Sequence, residues 1–323
     1  MKHISILPLY EATLASIDTT HQLFSRINDF MHYQGKPPVY QIEVVGLTKH
    51  TKLASGRYSI QTDRLIDELD KTDVIVLPLL CSEFKRAIHL NLPYTDWLIG
   101  QYRQGAEILC LCVGSFYLAS TGLLDGRKCA VHWAAVNEFK QLFPAVNVVD
   151  NVLITDERGI YTCGGGFSYL NLLLYLFEKQ LGRDIAILAA KMFEIDLDRK
   201  SQNAYAIFIG QKQHGDELVL KAQELIEEDP GANWTVDRLC QKLCIGRRSF
   251  ERRFKARTTN TLVEYVQRVK VEFAKKQLEG GQKTINEIVY ATGYIDLDAF
   301  RKVFRKVTDL SPVEYRKKYG GYR

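Results

Sequence analysis

Cys112 and His132 are of the residue types that carry out nucleophilic catalysis, and they lie twenty positions apart in the chain. Cys112 follows the apolar stretch 106–111 and precedes Val113-Gly114-Ser115, a pattern typical of a turn that leads from a strand into a helix and presents a nucleophile. A helix N-terminus lowers the pKa of a thiol, so a position at this turn would favour the thiolate form of Cys112. His132 would then act as the base in an attack on a carbonyl or amide carbon.

The same two residues also fit interpretations without catalysis. A buried cysteine packs as a small apolar side chain, and a histidine in a core satisfies its ring nitrogens with hydrogen bonds. A catalytic cysteine also needs a base placed beside it. Three functions for Cys112 therefore stay open: a ligand pocket or inert packing, which we favour; a cysteine-dependent hydrolase or amidase; and a thiol that senses oxidants.

A second set of chemically active residues, in the last third of the chain, is cationic. Residues 247–257 contain six lysines or arginines and one acidic residue. The 323-residue chain carries a net charge of +5, yet residues 216–323 carry +6, so the remainder is slightly acidic. Clustered cations bind the phosphates of nucleic acids by releasing counterions, although a charged helix is often merely solvated. The repeated pattern that contains these cations favours DNA binding.

The first copy of that pattern, a helix-turn-helix, runs from about 234 to 257. Thr235 is a predicted N-cap, and residues 244–246 form the turn. The spacing of Phe250 and Phe254 places both rings on the core side of the next helix. The cations of this helix therefore face outward, which suits a helix that enters the major groove of DNA.

The second copy begins at Thr284, whose side chain forms a predicted capping box with that of Glu287, in which each side chain accepts a hydrogen bond from the backbone N–H of the other residue. Its second helix carries an apolar stripe at helical spacing, formed by Phe300, Val303, Phe304 and Val307. A helix over about 262–278, roughly 25 Å long, connects the two copies. Since one turn of DNA is about 34 Å long, such a spacer predicts that the two copies read successive major grooves.

The stretch 234–319 resembles the DNA-binding domain of AraC/XylS-type regulators. The resemblance rests on Ser249-Phe250-Glu251-Arg252-Arg253-Phe254 in the first copy. In the second copy it rests on Gly293-Tyr294 and on Ser311-Pro312-Val313-Glu314-Tyr315-Arg316. It implies a sequence-specific regulator of transcription whose partner is double-stranded promoter DNA.

The residues predicted to contact DNA divide into base readers and phosphate binders. Arg248 and Arg252 would read bases in the first groove, whereas Arg253 and Lys255 would mainly bind phosphates. Asp298 stands near a position where the family usually has a small polar residue, and it would repel phosphate or accept a hydrogen bond from a cytosine amino group. We therefore expect less base reading by the second copy. The complete predicted set is Arg247, Arg248, Ser249, Arg252, Arg253, Lys255, Leu297, Asp298, Arg301, Lys302 and Arg305.

The first two-thirds of the chain alternate short apolar segments with helical patterns. This alternation predicts an α/β domain in which helices sandwich a parallel sheet. The predicted strands are 3–9, 40–47, 73–77 and 107–112. The predicted helices are 12–32, 62–69, 94–103, 115–121 and 133–143. The apolar segment 167–181 is too short to cross a bilayer and fits a buried helix.

Residues 2–194 resemble the PfpI-type, glutamine-amidotransferase-like fold. The motif Gly122-Leu123-Leu124-Asp125-Gly126-Arg127 is similar to that of GlxA-type regulators, in which this fold precedes an AraC-type domain. The resemblance makes Cys112 the cysteine of the elbow, His132 a pocket histidine and Glu11 the acidic residue beside the cysteine.

Three departures from that family argue against enzymatic activity. Val113 replaces the histidine that follows the cysteine in peptidase-like members, and residues 79–81 replace a glycine-rich turn that supplies oxyanion donors. Asn171 replaces an aspartate that is usual in GlxA-type regulators. The domain is therefore predicted to be a non-catalytic sensor. Its predicted ligand pocket consists of Glu11, Cys112, Val113 and His132, and family likeness suggests an amino acid, an amine or a derivative of either as the ligand.

The predicted organisation is a ligand-sensing domain at 1–195, a polar linker at 196–215 and a DNA-binding domain at 216–323. We expect a homodimer joined through the first domains, in which the ligand changes the arrangement of the DNA-binding units. The N-terminus runs directly into a strand, which predicts a bacterial cytoplasmic protein that is on the nucleoid when it binds DNA. The seven cysteines lack zinc-site spacing, so we expect reduced thiols, no metal and no cofactor.

Overall fold

The computed structural model describes residues 1–53, 56–81, 83–149 and 152–321. The chain forms two compact units, Met1–Gln202 and Asn203–Arg323, and the boundary between them falls inside the predicted linker. The first unit is an α/β domain and the second consists of helices, as the sequence predicts. None of the helices in the described ranges combines the length and the apolar composition that crossing a bilayer requires.

The first unit is built on a seven-stranded sheet. The strands of this unit are β1 (Lys2–Ile6), β2 (Tyr40–Gly46), β3 (His50–Leu53), β4 (Tyr58–Gln61), β5 (Arg64–Leu65), β6 (Val74–Leu77), β7 (Glu107–Cys110), β8 (Lys128–Cys129), β9 (Asn147–Val148), β10 (Ile154–Glu157) and β11 (Ile160–Cys163). The sheet order is β10-β11-β7-β6-β1-β2-β5, in which β10 pairs antiparallel with β11 and the other pairs are parallel. All four residues of β6 are buried, as expected for a central strand covered by helices on both faces.

Seven helices in the described ranges surround this sheet. They are α1 (Leu14–Tyr33), α2 (Phe84–Asn91), α3 (Thr95–Arg103), α4 (Ser115–Ser120), α5 (Val136–Leu142), α6 (Tyr169–Leu181) and α7 (Arg183–Met192). Phe24 of α1 meets Phe177 of α6 edge to face, with ring centroids 5.1 Å apart. The apolar segment 167–181 thus forms the buried helix that the sequence predicts.

The helix predicted at 62–69 is wrong. Within this range, Arg64–Leu65 form β5 and Ile66–Glu68 form a single 3-10 turn. The N–H of Asp63 donates to the carbonyl oxygen of Val44 (2.8 Å), and its carboxylate accepts a hydrogen bond from the N–H of Val44 (2.8 Å). Pairing with the edge of β2 therefore overrides the local helical pattern.

The second unit contains the two predicted helix-turn-helix pairs. Its helices are α8 (Glu217–Glu228), α9 (Val236–Leu243), α10 (Arg247–Thr258), α11 (Leu262–Gly280), α12 (Ile285–Ala291), α13 (Leu297–Thr308) and α14 (Pro312–Tyr319). Thr235 caps α9 by accepting a hydrogen bond from the N–H of Arg238, and Thr284 and Glu287 form the predicted capping box of α12. α9 and α10 form the first pair, and α12 and α13 form the second.

The connecting helix α11 belongs to two hydrophobic cores. Its first half packs Tyr265 and Val269 against the rings of α10. Its second half packs Val271, Ala274 and Leu278 into a separate core with the rings of α13. One continuous helix therefore completes both helix-turn-helix units.

Residues 203–215, here named the strap, belong to the second unit and pack on its helices. Asn203 Nδ2 donates to the carboxylate of Asp309 at the end of α13 (2.9 Å). Further along the strap, the ring of Phe208 meets Tyr265 of α11 edge to face, with centroids 5.0 Å apart. The start of the strap thus contacts the end of α13 in the second helix-turn-helix copy, and Phe208 contacts the core of the first copy.

Candidate functional site

Cys112 lies at a sharp turn directly after β7. Its φ of 50° falls in the left-handed region, which a residue with a side chain adopts only where the surrounding structure holds it. β7 consequently ends at Cys110, two residues before the predicted end, and a 3-10 turn over Cys112–Gly114 leads into α4. A Cβ atom at Gly114 would lie 2.6 Å from the carbonyl oxygen of Pro78, so this close approach requires glycine.

Burial controls the chemistry of the Cys112 thiol. The residue is 1% exposed, and burial raises its pKa to about 12, although the backbone N–H groups of Val113 and Gly165 favour the thiolate. Burial therefore opposes the thiolate that the catalytic hypothesis requires. The turn lies inside the core, where desolvation outweighs the two hydrogen bonds, and the thiol is neutral at pH 7.

Other thiols surround Cys112 in the core. The N–H of Cys112 donates to Cys163 Sγ (3.3 Å), and Cys110 and Cys129 are buried nearby. Burial raises the pKa of each of these three thiols as well. Within the described part of the chain, no hydrogen bond joins Cys112 to His132. The elbow geometry is therefore present without a hydrogen bond from its sulfur to His132 in the described part of the chain.

His132 has a structural contact of its own. Its Nδ1 accepts a hydrogen bond from the N–H of Ala134 (3.1 Å), which caps the 3-10 turn Trp133–Ala135. The imidazole is half-buried, and burial lowers its pKa. An imidazole that is neutral and accepts at Nδ1 carries its proton on Nε2. The ring nitrogen that would accept a proton from a thiol is therefore engaged by the backbone.

Glu11 lies beside Cys81. The carboxylate of Glu11 is 3.6 Å from Nη2 of Arg86, and the pKa of Cys81 is raised first by burial and then by the charge of Glu11. The N–H of Cys81 donates to the carbonyl oxygen of Glu11 (2.6 Å), and the N–H of Leu79 donates to Ser16 Oγ (3.1 Å). These two N–H groups occupy the place of an oxyanion turn, yet both are already used inside the domain.

A cavity of about 280 Å³ lies elsewhere in the first unit, between α6, the start of β10 and residues 197–200. Asn171 and Leu174 line it from α6, whereas Arg199 and Lys200 line it from the following segment. Sequence reasoning assigns Arg199 and Lys200 to the linker and gives them no site. The signal that could have drawn attention to Arg199 and Lys200 is that two cations stand side by side in the chain, far from the DNA-binding residues.

On α10, four of the predicted DNA-contacting residues are exposed and available. These are Arg248, Ser249, Arg252 and Lys255, and among the residues that the structure describes none of them forms an ion pair. Phe250 and Phe254 are fully buried on the opposite side of the helix. The buried rings fix the orientation of α10, so the cations face solvent as predicted.

Arg247 and Arg253, also predicted to contact DNA, are engaged within the second unit. Arg253 forms a two-pronged pair with Asp216, with Nε and Nη2 at 3.0 and 2.7 Å from its carboxylate oxygens. The hydrogen bond from Arg253 lowers the pKa of Asp216. Arg247 lies 3.2 Å from the carboxylate of Asp237 and 3.4 Å from that of Glu251, on the surface. The roles of both arginines toward DNA stay predictions.

On α13, the predicted set is split in the same way. Asp298 pairs with Arg301 (3.0 Å), and Leu297 is half-buried against the second core. Lys302 and Arg305 are exposed and form no ion pair within the described ranges. The N-terminus of α13 therefore carries a neutralised charge pair where α10 carries free cations.

Comparison with known proteins agrees with this arrangement. A model described as a helix-turn-helix domain matches residues 239–318, and the DJ-1/PfpI family model matches residues 36–178. The HTH-type transcriptional regulator GbdR from Pseudomonas aeruginosa is 24% identical over 282 residues, which cover 86% of this chain and 75% of GbdR. The HTH-type transcriptional regulator GlxA from Rhizobium meliloti is 27% identical over 68% of this chain and 67% of GlxA. The chain belongs to the AraC-type regulators that carry a DJ-1/PfpI domain.

Part of the fold of this AraC-type regulator also occurs in solved structures. A transcriptional regulator protein from Vibrio parahaemolyticus matches with a TM-score of 0.52 and 19% identity, over 59% of this chain and 98% of that chain. A THiJ/PfpI family protein from Pseudomonas syringae matches with a TM-score of 0.50 and 18% identity, over 70% of this chain and 86% of that chain. At these identities the likeness shows the fold alone.

In this AraC-type regulator, Lys270 of α11 fastens the turn of the second helix-turn-helix unit. Its side chain is buried, and Nζ donates to the carbonyl oxygen of Thr292 at the end of α12 (2.6 Å). Burial lowers the pKa of Lys270. The next residue, Gly293, approaches Gly231 in the loop before α9 so closely that a Cβ atom would meet its carbonyl oxygen. The turn of the second helix-turn-helix copy therefore packs directly on the loop before the first copy, within the second unit.

Proposed function

We propose that this AraC-type regulator reads promoter DNA with Arg248 and Arg252 of α10, and that its first unit senses a small metabolite without catalysing a reaction. The observation that carries the first part is the pair of exposed guanidinium groups one turn apart on α10. Arginine binds the O6 and N7 atoms of guanine through two parallel hydrogen bonds. A helix held by buried rings on its other face presents both groups to the same groove.

The remaining cations bind the phosphate backbone in this proposal. Lys255 and the hydroxyl group of Ser249 lie on the same exposed helix as the two readers and contact phosphates there, and Lys302 and Arg305 of α13 contact the next groove segment. The pairs Arg253–Asp216 and Arg301–Asp298 stay intact, because breaking them would cost the hydrogen bonds that the carboxylates accept. In this proposal the first helix-turn-helix copy specifies the sequence, and the second copy mainly positions the protein.

Three observations support the proposal that the first unit binds a ligand and does not catalyse a reaction. The Cys112 thiol is neutral and buried, the Nδ1 atom of His132 is engaged, and the N–H groups of Leu79 and Cys81 are taken. A cysteine hydrolase needs a thiolate, a base and an oxyanion site at once. We propose instead that Glu11, Cys112, Val113 and His132 pack and orient the domain, or contact a ligand, without chemistry.

The regulator would act in the bacterial cytoplasm as a homodimer joined through its first units. Family likeness suggests an amino acid, an amine or a derivative of either as the effector. Effector binding would change DNA affinity only to the extent that it favours one arrangement of the two units over another.

Selection of fragmented genomic DNA by the full-length protein, near physiological salt, tests this function. The variant Arg248→Ala/Arg252→Ala removes the two proposed readers. The control Arg26→Ala/Lys36→Ala removes the same charge from exposed positions of the first unit. We expect a few promoter fragments to be enriched by the protein and by the control, and to be lost with the double α10 variant.

Equal enrichment by the α10 variant would overturn the assignment of Arg248 and Arg252. No enrichment by any of the proteins would argue against sequence-specific binding by the unliganded regulator. The variant Cys112→Ser tests the second part of the proposal. If the first unit senses its ligand without cysteine chemistry, this variant should select the same fragments as the wild type.

A further inference from the structure

The cavity beside α6 has the composition of a site for a small organic anion. Leu153, Ile154 and Leu174 form an apolar floor, and Arg199 and the exposed Lys200 also line the cavity. Among the described residues that line it, Glu178 is the single acid, and Arg183 already binds its carboxylate at 2.7 Å. Two cations beside an apolar surface favour a carboxylate attached to a short aliphatic body.

An inorganic anion suits this cavity less well. Phosphate is strongly hydrated on every side, and it would leave the leucine and isoleucine side chains facing water. A carboxylate attached to a chain of three or four carbon atoms pairs with the cations and buries its methylene groups against the floor. Part of the cavity also lies outside the DJ-1/PfpI match at 36–178, because Arg183, Arg199 and Lys200 come after it.

The segment that carries the cations is fastened around the cavity by a set of hydrogen bonds. Asn171 Nδ2 donates to the carbonyl oxygen of Asp196 (2.6 Å), and the N–H of Leu153 donates to the carbonyl oxygen of Lys200 (3.0 Å). An aspartate side chain at position 171 would have no N–H group to donate. The asparagine that replaces the aspartate usual in GlxA-type regulators therefore makes a hydrogen bond that aspartate could not make. The segment 196–202, here named the connector, is thus held by hydrogen bonds at Asp196 and at Lys200, beside the cavity.

The last residue of the connector is also fixed. Gln202 is 1% exposed, its Nε2 donates to the carbonyl oxygen of Val131 (2.7 Å), and its Oε1 accepts from the N–H of Trp133 (2.9 Å). The next residue, Asn203, begins the strap on the DNA-binding unit. The connector and the strap are therefore adjacent segments of the chain, and the strap contacts Asp309 at the end of α13.

We propose that this cavity is the effector site, that it binds a small aliphatic carboxylate through Arg199 and Lys200, and that binding shifts the connector and through it the strap. This inference rests on the proposed function of the first unit as a sensor, and it names the site and the ligand class. The carboxylate of an amino acid falls in that class. Effector binding reaches the DNA-binding unit through the covalent chain itself.

The test is isothermal titration calorimetry of the full-length protein with four probes. Pentanoate and norvaline carry the carboxylate on an aliphatic chain, pentylamine carries a cation on a similar chain, and inorganic phosphate is an anion without one. We expect pentanoate or norvaline to bind, and the other two probes not to bind. Binding by pentylamine, tighter binding by phosphate, or binding by none of the four would overturn the ligand class.

Variants locate the site. Arg199→Gln/Lys200→Gln should weaken carboxylate binding about tenfold or more, because charge-assisted hydrogen bonds are lost. The control Arg103→Gln/Lys85→Gln removes the same charge from exposed positions of the first unit and should not change binding. Lys200→Glu alters one exposed residue, so it should fold and still weaken binding. Unchanged affinity in both Lys200 variants, or loss of binding in Cys112→Ser alone, would overturn the assignment.

DNA selection separates this inference from the proposed function. The double variant Arg199→Gln/Lys200→Gln should enrich the same fragments as the wild type and lose only their response to the carboxylate. If the wild type selects no fragments while carboxylate binding follows the variants, the regulator proposal fails and the binding site stands. If fragments are selected but their response to carboxylate survives in the double variant, the site assignment fails and the regulator proposal stands.

Discussion

The two recognition helices, α10 and α13, are copies of one pattern that differ in how their charges are used. Both bury two phenylalanines four residues apart. Two positions before the first of these rings, α10 has Arg248 whereas α13 has Asp298, and two positions after it Arg252 stands against Lys302. A guanidinium fork reads base edges, whereas an ammonium group acts as a point charge for phosphates. We therefore propose that one fold carries a base reader in its first copy and a phosphate binder in its second.

The same contrast extends to packing. Arg253 of α10 is paired with the buried carboxylate of Asp216, whereas the equivalent residue of α13, Val303, packs against the second core. The left-handed position of the turn differs as well, since it is Cys244 in the first copy and Gly293 in the second. The first copy therefore depends partly on an ion pair and the second on close apolar and backbone contacts.

The largest expected effect comes from Gly293→Ala. The added Cβ atom would meet the backbone of Gly231, and φ is 75°, so we expect a loss of at least about 3 kcal/mol in the free energy of unfolding. Gly281→Ala is the matched control, because its φ is 68° but its Cβ atom would meet nothing, and it should cost about 1–2 kcal/mol. Urea denaturation measures both; equal costs would show that the contact between the copies is unimportant.

The next effect compares the two copies directly on DNA. Arg252→Ala should lower specific affinity by about 1–3 kcal/mol and relax the preference at one base pair. Lys302→Ala should weaken binding to all sequences by less than that and reduce the dependence of binding on salt. Binding assays on matched and mismatched operators at two salt concentrations distinguish them. If Lys302→Ala proves the more sequence-selective change, the division into base reader and phosphate binder is reversed.

Acid should affect the first copy through Asp216. Pairing with Arg253 lowers the pKa of this carboxyl, so its contribution to stability is complete above the unfolded value of about 4 and is lost as pH falls through the lower folded value. Asp216→Asn should therefore destabilise the protein at pH 6 and approach the wild type as the pH drops toward 3. Urea midpoints across that range provide the measurement, and a constant difference would contradict the pairing.

The smallest expected effect is a gain. Asp298→Asn removes a negative charge from the start of α13 and releases Arg301, so DNA affinity should rise by a few-fold, or roughly 1 kcal/mol, at low salt. Glu251→Gln makes the same charge change on α10, where the carboxylate lies 3.4 Å from Arg247. A much larger gain on α13 than on α10 would mean that Asp298 suppresses base reading by the second copy.

Local signals in the sequence were enough to predict most of the second unit. Thr235 and Thr284 mark helix starts with side chains that the structure shows capping backbone N–H groups, and the paired phenylalanines mark core faces. The pairing of Arg253 with Asp216 joins residues 37 positions apart, which no helical period reveals. The mistaken helix at 62–69 has a similar cause, because an edge strand is recognised only by its neighbour.

The first unit shows where sequence reasoning about a site stops. The turn after β7 could be predicted from the residues around Cys112, because glycine and small residues allow the close approach to Pro78. The ionisation of the thiol could not, because it depends on how much solvent the rest of the fold removes. Arg199 and Lys200 escaped notice because their relation to α6 exists only in three dimensions.

The sharing of α11 between two cores has a consequence for the regulator inside a cell. If either core opens, half of the apolar face of this 19-residue helix is exposed, and the other core loses the support of a continuous helix. The two helix-turn-helix copies should therefore unfold together, with no long-lived form in which only one copy is intact. Proteases would meet either a complete two-site protein or an open chain. Half-folded molecules, which would occupy promoters by phosphate contacts alone, should not accumulate.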